Sequence, residues 1–306
     1  MISFGRLLTA GLISFAATAL APVSALSAPH KTHLLTIGVC PPWKKIPGNP
    51  KATAGMAAGC KNDVEAMTKA LRKVMPIQQA EVTTLLNEQA THAGVVGAMR
   101  DLASEAGDHD RVVIYVNLHG GDMPAVYKGY RTRDEVLALY TVEEPRDFLK
   151  ASADGRWMTA RAFRDLVNQV QAREIVVIFD SCDSGGAFRD FEYNQAGRYG
   201  TGWNGRQAVI FSAHGDQLAN FSAAGDTALF TSIFARGLTA AKGGSLGDVF
   251  DEARIQTHRD IRARCKSGGT PAAITKNHRA YLAYCTQMPR AYDPYGLLDD
   301  IALKTP

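Results

Sequence analysis

The chain has 306 residues, of which 46% are hydrophobic and 21% charged, enough to bury the core of one large domain. Its formal net charge is +4, and the positive residues are scattered without a basic run, which argues against a nucleic-acid-binding protein. No Cys-x-x-Cys spacing occurs, so a zinc module lacks support.

The N-terminus has the features of an export signal. A short apolar run at 7–20 follows an arginine, and small residues lead to a predicted cleavage after Ala25, with Ala28 as the alternative. The apolar run is short for a membrane span, and an uncleaved anchor is the competing interpretation. We therefore expect a signal peptide at 1–25 and a secreted or periplasmic domain at 30–306, without a membrane segment after processing.

Export changes the interpretation of the five cysteines. An oxidising compartment favours disulfides, and an odd number leaves one thiol unpaired. Neighbours pair as Cys40–Cys60 and Cys265–Cys285, each closing a loop of about 20 residues, although the sequence alone does not fix this connectivity. In this pairing Cys182 is the free thiol.

Strands and helices alternate along the chain. Apolar runs predict strands at 34–39, 80–86, 111–119 and 173–180, a fifth within 205–216 and another within 270–285. Helical spacing predicts helices at 62–74 (capped by Asn62), 91–105 and 159–171, with two more starting at Asp226 and Ser245, while 122–158 is polar and weakly periodic. The central strands are apolar on both faces, which indicates an α/β fold with a mostly parallel sheet of about six strands.

Two polar residues follow neighbouring predicted strands. His119 ends the third strand and precedes Gly120, and Cys182 follows the fourth strand and precedes Gly185. In such folds, catalytic groups gather at the carboxyl ends of the strands. A thiol and an imidazole there can perform nucleophilic acyl transfer, whereas a structural histidine and a buried cysteine are the alternative.

Four sequence blocks occur in the order found in a known family. VIYVNLHGG and VVIFDSCDSGG resemble the caspase-like cysteine peptidases, and most closely the metacaspases. AAGCKNDVEAMTKAL is similar to that family's first helix, and FSAHGDQLANFSAAGDTALFTSIFARGL to the segment after the catalytic strand. The resemblance covers about residues 34–285 and implies a caspase-like three-layer α/β/α sandwich.

The resemblance also implies roles for individual residues. Cys182 is the expected nucleophile, His119 the general acid/base, and the N–H groups of Gly120 and Cys182 the oxyanion hole. Asp63 and Asp180 are expected in the S1 pocket, which holds the residue before the cut (P1), and two carboxylates there favour Arg or Lys over Asp. We therefore expect an exported cysteine endopeptidase cutting after basic residues, with ligation at such residues as a related possibility.

Two departures from the family pattern support a different class of function. Asp183 follows the nucleophile where metacaspases often have histidine, and a facing carboxylate would raise the pKa of the thiol. Val-Asn-Leu precedes His119 in place of Tyr-Ser-Gly. The alternative is therefore a weakly active or inactive caspase-like module that serves as a secreted binding or scaffold protein.

The family resemblance raises further expectations about ligands, partners and processing. No cofactor is required, but Asp134, Glu143 and Asp190 are candidate calcium ligands, with solvated loop acids as the alternative. The expected partner is a protein or peptide substrate with a basic P1 residue, and we expect a monomer by analogy with metacaspases. Self-cleavage could occur after the arginines of the segment that follows the nucleophile: Arg189, Arg198 and Arg206.

Overall fold

The computed structural model describes residues 31–40, 50–127, 130–141, 151, 154–182, 184–187 and 205–305, and for 50–57, 122–127, 130–134 and 186–187 it describes the backbone alone. The strands are β1 (Thr32–Gly38), β2 (Val82–Leu86), β3 (Arg111–Asn117), β4 (His119–Tyr127), β5 (Tyr130–Ala138), β6 (Met158–Thr159), β7 (Glu174–Asp180), β8 (Arg206–Phe211) and β9 (Arg290–Tyr292). The helices are α1 (Pro50–Val74), α2 (His92–Glu105), α3 (Ala160–Val167), α4 (Leu229–Ala240), α5 (Leu246–Lys266), α6 (Ala272–Thr275), α7 (His278–Cys285) and α8 (Leu297–Asp300). Among these helices, none combines the length and apolar character that a membrane crossing requires.

A six-stranded sheet in the order β2-β1-β3-β7-β8-β9 forms the middle layer. Its first five strands run parallel, and β9 closes one edge in the antiparallel direction. Every residue of β1, β3 and β7 is buried, because helices cover both faces. Helices α1, α4 and α5 pack on one face and α2 and α3 on the other, which confirms the predicted three-layer arrangement.

Aromatic side chains fix the layers on both faces of the sheet. Phe163 of α3 meets Phe179 of β7 edge-on at 5.5 Å, and Phe179 stacks on Phe211 of β8 at 5.9 Å. On the opposite face, Phe230 and Phe234 of α4 stack with 5.3 Å between ring centroids. The carboxyl ends of β3 and β7 are therefore held by a packed core on both sides.

The predicted helix starts are confirmed where a side chain caps the helix. Thr91, Thr159 and Ser245 each accept a hydrogen bond from the backbone N–H three residues further on. The prediction for Asn62 is wrong, since α1 already begins at Pro50 and the Asn62 amide donates instead to the Asp226 carbonyl at 2.9 Å. Helix α4 likewise begins later than predicted, at Leu229.

The predicted strand within 270–285 is also wrong. This segment forms the short helices α6 and α7, and the Asn277 side chain caps α7 by accepting from the Ala280 N–H at 3.1 Å. The last strand of the sheet is β9, which lies after Cys285 and pairs with β8. The cap and the short apolar runs of this segment favour helix over strand.

The polar segment after His119 contains more structure than its weak periodicity predicted. Strand β3 ends at Asn117, and the Leu118 N–H makes a last hydrogen bond to the Asp180 carbonyl at 3.4 Å. The chain then leaves the central sheet, and His119 begins β4. Strands β4 and β5 form a hairpin, and β6 adds a third strand to this second sheet.

Arg206 is a poor site for self-cleavage in the folded protein. It is the first residue of β8, and its guanidinium hydrogen-bonds Glu174 at 3.0 Å and also Asp300. A cut after Arg206 would therefore break a strand of the central sheet. The other two candidates, Arg189 and Arg198, lie outside the described residues.

Candidate active site

The carboxyl ends of β3 and β7 open into one cleft. Asn117 and Asp180 are directly paired in the two strands, so His119 and Cys182, each two residues later, leave the sheet side by side. Both line one open cleft, together with Asp63 from α1 and Asp180. The structure therefore brings the predicted His119, Cys182, Asp63 and Asp180 to one place, while their chemical roles stay predictions.

The backbone at Gly120 runs against the segment that carries the thiol. A Cβ atom at this position would overlap the carbonyl oxygen of Cys182 and would lie 3.0 Å from Ser181 Oγ. Glycine is required here by a close approach of two backbones. This contact holds the segment after β3 directly against the predicted nucleophile.

We expect Gly120→Ala to reduce peptidase activity by at least about 100-fold, because even a small displacement of catalytic groups lowers rates strongly. The methyl group would push His119 and Cys182 apart. The matched control is Gly121→Ala, since a Cβ there would meet no atom within 4 Å. Steady-state kinetics of both variants test this, and equal activities would contradict the close-approach argument.

Cys182 is a free cysteine and is half-buried in the cleft. Its Sγ lies 3.8 Å from the carbonyl oxygen of Ala219, to which the thiol can donate a weak hydrogen bond. A neutral thiol is a weak nucleophile, so catalysis here needs a base to take its proton. The neighbouring Asp183, whose effect on the thiol pKa was questioned, lies outside the described residues.

Two buried carboxylates line the cleft beside the thiol. Asp63 is 1% exposed, and its carboxylate accepts from the Ala228 N–H at 3.0 Å and from the Asn117 amide at 3.1 Å. Asp180 is 3% exposed, and its Oδ2 accepts from the N–H and the hydroxyl of Thr231 at 3.2 and 2.6 Å. These hydrogen bonds fix the orientation of both carboxylates, and all of their donors are neutral groups.

Burial keeps one of these carboxyl groups protonated near neutral pH. It raises the pKa of Asp63 from 3.8 to about 8, with a further increase from the nearby charge of Asp180. Burial also raises the pKa of Asp180, although the bonds from Thr231 and Ser212 oppose that rise. A bound cation would reverse this balance, because it stabilises both charged forms.

Asn117, together with Tyr115 and Thr231, which the sequence did not single out, organises the pair of acids. Asn117 donates to Asp63 and, at 3.2 Å, to the hydroxyl of Tyr115. Tyr115 in turn lies 2.6 Å from the Thr231 hydroxyl, which donates to Asp180. The unusual Val-Asn-Leu before His119 thus supplies the amide that links the two acids, and this departure from the family pattern was the available signal.

The loop between β8 and α4 forms the far wall of the cleft. Gln287 Oε1 accepts from the backbone N–H of Asn220 at 3.0 Å, and Gln287 Nε2 donates to the Ser212 carbonyl at 2.9 Å. Gln217 also fastens the loop, because its Oε1 accepts from the N–H groups of His214 and Met288. His214 follows β8 and is a second histidine that could act as a base, but it bonds Asp216 at 2.9 Å and does not line the cleft.

Both predicted disulfides are confirmed. Cys40–Cys60 and Cys265–Cys285 have Cα separations of 5.5 and 6.0 Å, and Cys182 is the free cysteine. The first disulfide joins the end of β1 to α1 and lines the cleft, and Cys60 lies one helical turn before Asp63. It therefore ties the helix that carries one pocket acid to the central sheet.

We expect the double variant Cys40→Ser/Cys60→Ser to lose about 3 kcal/mol of unfolding free energy, the loop-entropy value for this separation. Its KM for basic peptides should rise as well, because α1 loses its covalent tie near Asp63. Denaturant titrations and kinetics measure the two effects. Cys265→Ser/Cys285→Ser is the control for stability, since it opens a loop of the same length, and an unchanged unfolding free energy in the first variant would contradict this expectation.

The candidate calcium ligands remain a prediction. Glu143, Asp190 and the side chain of Asp134 lie outside the described residues. Elsewhere, the described part of the chain contains no group of three or more His, Cys, Asp or Glu residues placed to hold a metal ion.

The sequence model of a protein family described as the caspase domain matches residues 49–290, which is most of the chain. The chain belongs to this caspase-domain family. The matched range of the caspase domain contains all four residues that meet in the cleft, Asp63, His119, Asp180 and Cys182, as well as the Cys265–Cys285 disulfide. This family assignment agrees with the caspase-like resemblance of the sequence motifs.

Individual relatives of this caspase domain are distant. Metacaspase-1A of Aspergillus oryzae is 29% identical over 140 residues, which are 44% of this chain and 32% of that protein. The chain thus spans about a third of the length of the curated relative it matches. A crystal structure of a Geobacter sulfurreducens protein covers 89% of this chain and 97% of its own, with a TM-score of 0.54 and 17% identity, and shows the shared fold.

Proposed function

We propose that the protein is an exported cysteine endopeptidase that hydrolyses peptide bonds after arginine or lysine. The observation that carries this proposal is the pair of buried carboxylates, Asp63 and Asp180, in the same cleft as Cys182 and His119. A cleft with a thiol, an imidazole and two acids suits a substrate with a carbonyl to attack and a cation to bind.

The proposed reaction has two acyl-transfer steps. His119 takes the proton of Cys182, and the thiolate attacks the carbonyl carbon after the P1 residue. In this proposal the N–H groups of Gly120 and Cys182 stabilise the oxyanion, and protonated His119 gives its proton to the leaving amine. Water, activated by His119, then hydrolyses the thioester and releases the carboxylic acid product.

The acids of the cleft account for the proposed specificity. Asp63 and Asp180 have no cationic partner within the described residues, so a guanidinium or ammonium group of the substrate can supply one. An aspartate at P1 would add a third carboxylate to a buried site, which is strongly unfavourable. The same pocket therefore attracts basic side chains and rejects acidic ones.

The disulfides support export. Two pairs of cysteines are joined, and such bonds persist mainly in secreted or periplasmic proteins. The proposed substrates are accordingly proteins or peptides outside the cytoplasm. We also propose a monomer, since the edge strand β9 has only three residues and offers few backbone groups for pairing with a second copy.

The test is hydrolysis of three fluorogenic peptides that differ only in a P1 residue of Arg, Lys or Asp, with and without calcium. We expect cleavage of the first two and none of the third. Cleavage after Asp alone would refute the basic specificity. No turnover, together with no labelling by a thiol-reactive Arg peptide, would favour the binding or scaffold alternative, and an effect of calcium would show whether that ion is needed.

A further inference from the structure

Asn220 presents a hydrogen-bond acceptor that no described residue uses. The residue is 3% exposed and lines the cleft. Its Nδ2 lies within hydrogen-bond distance of three oxygens, the carbonyls of Leu218 and Tyr284 and Oε1 of Gln287, at 3.2, 2.9 and 2.9 Å. Its Oδ1 is buried and has no hydrogen-bond partner within the part of the chain that the structure describes.

The orientation of the Asn220 amide follows from its surroundings. The backbone N–H of Asn220 can only donate, and it donates to Gln287, so Gln287 must present its oxygen there. The side-chain amide of Asn220 faces the same oxygen and the Tyr284 carbonyl. Its nitrogen must therefore point to these acceptors, and its oxygen is turned away from them.

Asn220 lies next to the wall that holds Asp63. The carbonyl oxygen of Asn220 accepts from the N–H of Leu229 at 2.7 Å, and the adjacent Ala228 donates its N–H to Asp63. Asp180 lines the same cleft. The residues that line the cleft thus include two carboxylates and an asparagine whose buried amide oxygen lacks a donor among the described residues.

We propose that Oδ1 of Asn220 is a third acceptor of the S1 pocket and that it selects arginine over lysine at P1. This inference rests on the proposed basic specificity and goes further, because it names a residue that distinguishes the two basic side chains. The pocket then has three acceptors from three segments of the chain, α1, the end of β7 and the loop before α4.

The chemistry of the two side chains gives the preference its direction. A guanidinium has five N–H donors in a rigid plane, whereas an ammonium has three donors around one atom. Asp63 and Asp180 already accept bonds from Ala228, Asn117 and Thr231, which occupy part of their capacity. A guanidinium can bond both acids and still direct an N–H to Asn220, while an ammonium satisfies its donors on the acids alone.

The experiment compares kcat/KM for two peptides that differ only in Arg or Lys at P1. We expect the wild-type protein to favour Arg by at least about tenfold, the value of one hydrogen bond to a charged group. Asn220→Ala should lower kcat/KM for Arg by about 10- to 100-fold and for Lys by less than about threefold. Asn220→Leu, which keeps the volume of the side chain, should behave in the same way if the alanine variant is unstable.

Gln217→Ala is the matched control, because it loosens the same loop through its bonds to His214 and Met288 but makes no contact with the Asn220 side chain. It should lower both rates by similar factors and leave the Arg:Lys ratio unchanged. A wild-type ratio near one would overturn the inference, and so would Asn220 variants that lower both rates equally. Absence of cleavage after either basic residue would instead refute the proposed function itself.

Discussion

Replacing Cys182 with alanine is expected to lower kcat/KM on an Arg-ended peptide by at least about 10⁴-fold, the scale seen when a catalytic nucleophile is removed. The other four cysteines cannot replace it, because they form the two disulfides. No other thiol lies in the cleft to form the acyl intermediate. The measurement is steady-state hydrolysis at high enzyme concentration, with the purified variant shown to be folded by circular dichroism.

His119 and His214 provide a matched pair of variants for the same experiment. His119→Ala should lose about as much activity as Cys182→Ala, since residues that act as one catalytic unit have non-additive effects. His214→Ala should keep near wild-type activity, because this imidazole bonds Asp216 and lies outside the cleft lining. A large loss in the His214 variant together with an active His119 variant would reverse the assignment of the base.

Covalent labelling gives a readout that does not depend on turnover. Under non-reducing conditions a thiol-reactive Arg peptide should attach once per chain, at Cys182, because this is the free cysteine. Labelling should disappear in Cys182→Ala and weaken in His119→Ala, where the thiol lacks its base. Activity retained by Cys182→Ala, or a label on any other residue, would remove the basis of the proposed mechanism.

The sequence predicted the meeting of His119 and Cys182 because both features behind it are local. Each residue follows an apolar strand, and parallel neighbours bring their carboxyl ends to the same edge of a sheet. The disulfides could be predicted for a similar reason, since pairs of cysteines about 20 residues apart close short loops. The role of Asp63 could not be predicted from local features and was inferred from the resemblance to a family.

The residues that the sequence did not reveal act through long-range contacts. Asn117 stands out in the sequence only as a departure from the family pattern, and only the fold brings it against Asp63 of α1. Asn220 depends in the same way on Gln287, 67 residues further along the chain. No spacing or periodicity records such contacts. The hairpin β4–β5 was missed because apolar and polar residues alternate only weakly in its strands. Pairing within the second sheet stabilises these strands, although their local propensity is low.

The substitution Asp63→Asn is expected to stabilise the unliganded protein at alkaline pH. The folded chain holds the Asp63 proton up to a pKa of about 8, whereas the ordinary value is 3.8. Between these values the folded state binds a proton that the unfolded state has released, so the unfolding free energy of the wild type falls as the pH rises. Asparagine has no such proton, and the advantage of the variant should grow with pH to a few kcal/mol near pH 8.

The same substitution should remove most activity on basic peptides. A neutral amide in place of the carboxylate should lower kcat/KM for Arg by about 100-fold, since a buried ionic partner is lost. In the wild type, kcat/KM should rise with pH through about 8 as Asp63 loses its proton and can bind the P1 cation. The variant should lack this rise.

Asp226→Asn is the matched control for both measurements. This substitution also replaces a carboxyl group with an amide, close to Asp63. The charge of Asp226 contributes to the raised pKa of Asp63, but the Asp226 side chain is exposed. Its effects on stability and on activity should therefore be small.

The outcomes for Asp63→Asn distinguish the possible states of the pocket. If Asp63→Asn gained no stability at pH 8 relative to pH 5, the Asp63 carboxylate would be charged in the unliganded pocket. If it gained stability and kept its activity, the pocket would bind its cation through Asp180 alone. The expected pair of results, a more stable and less active variant, would identify Asp63 as an acid kept in an unfavourable site because the substrate supplies its counter-charge.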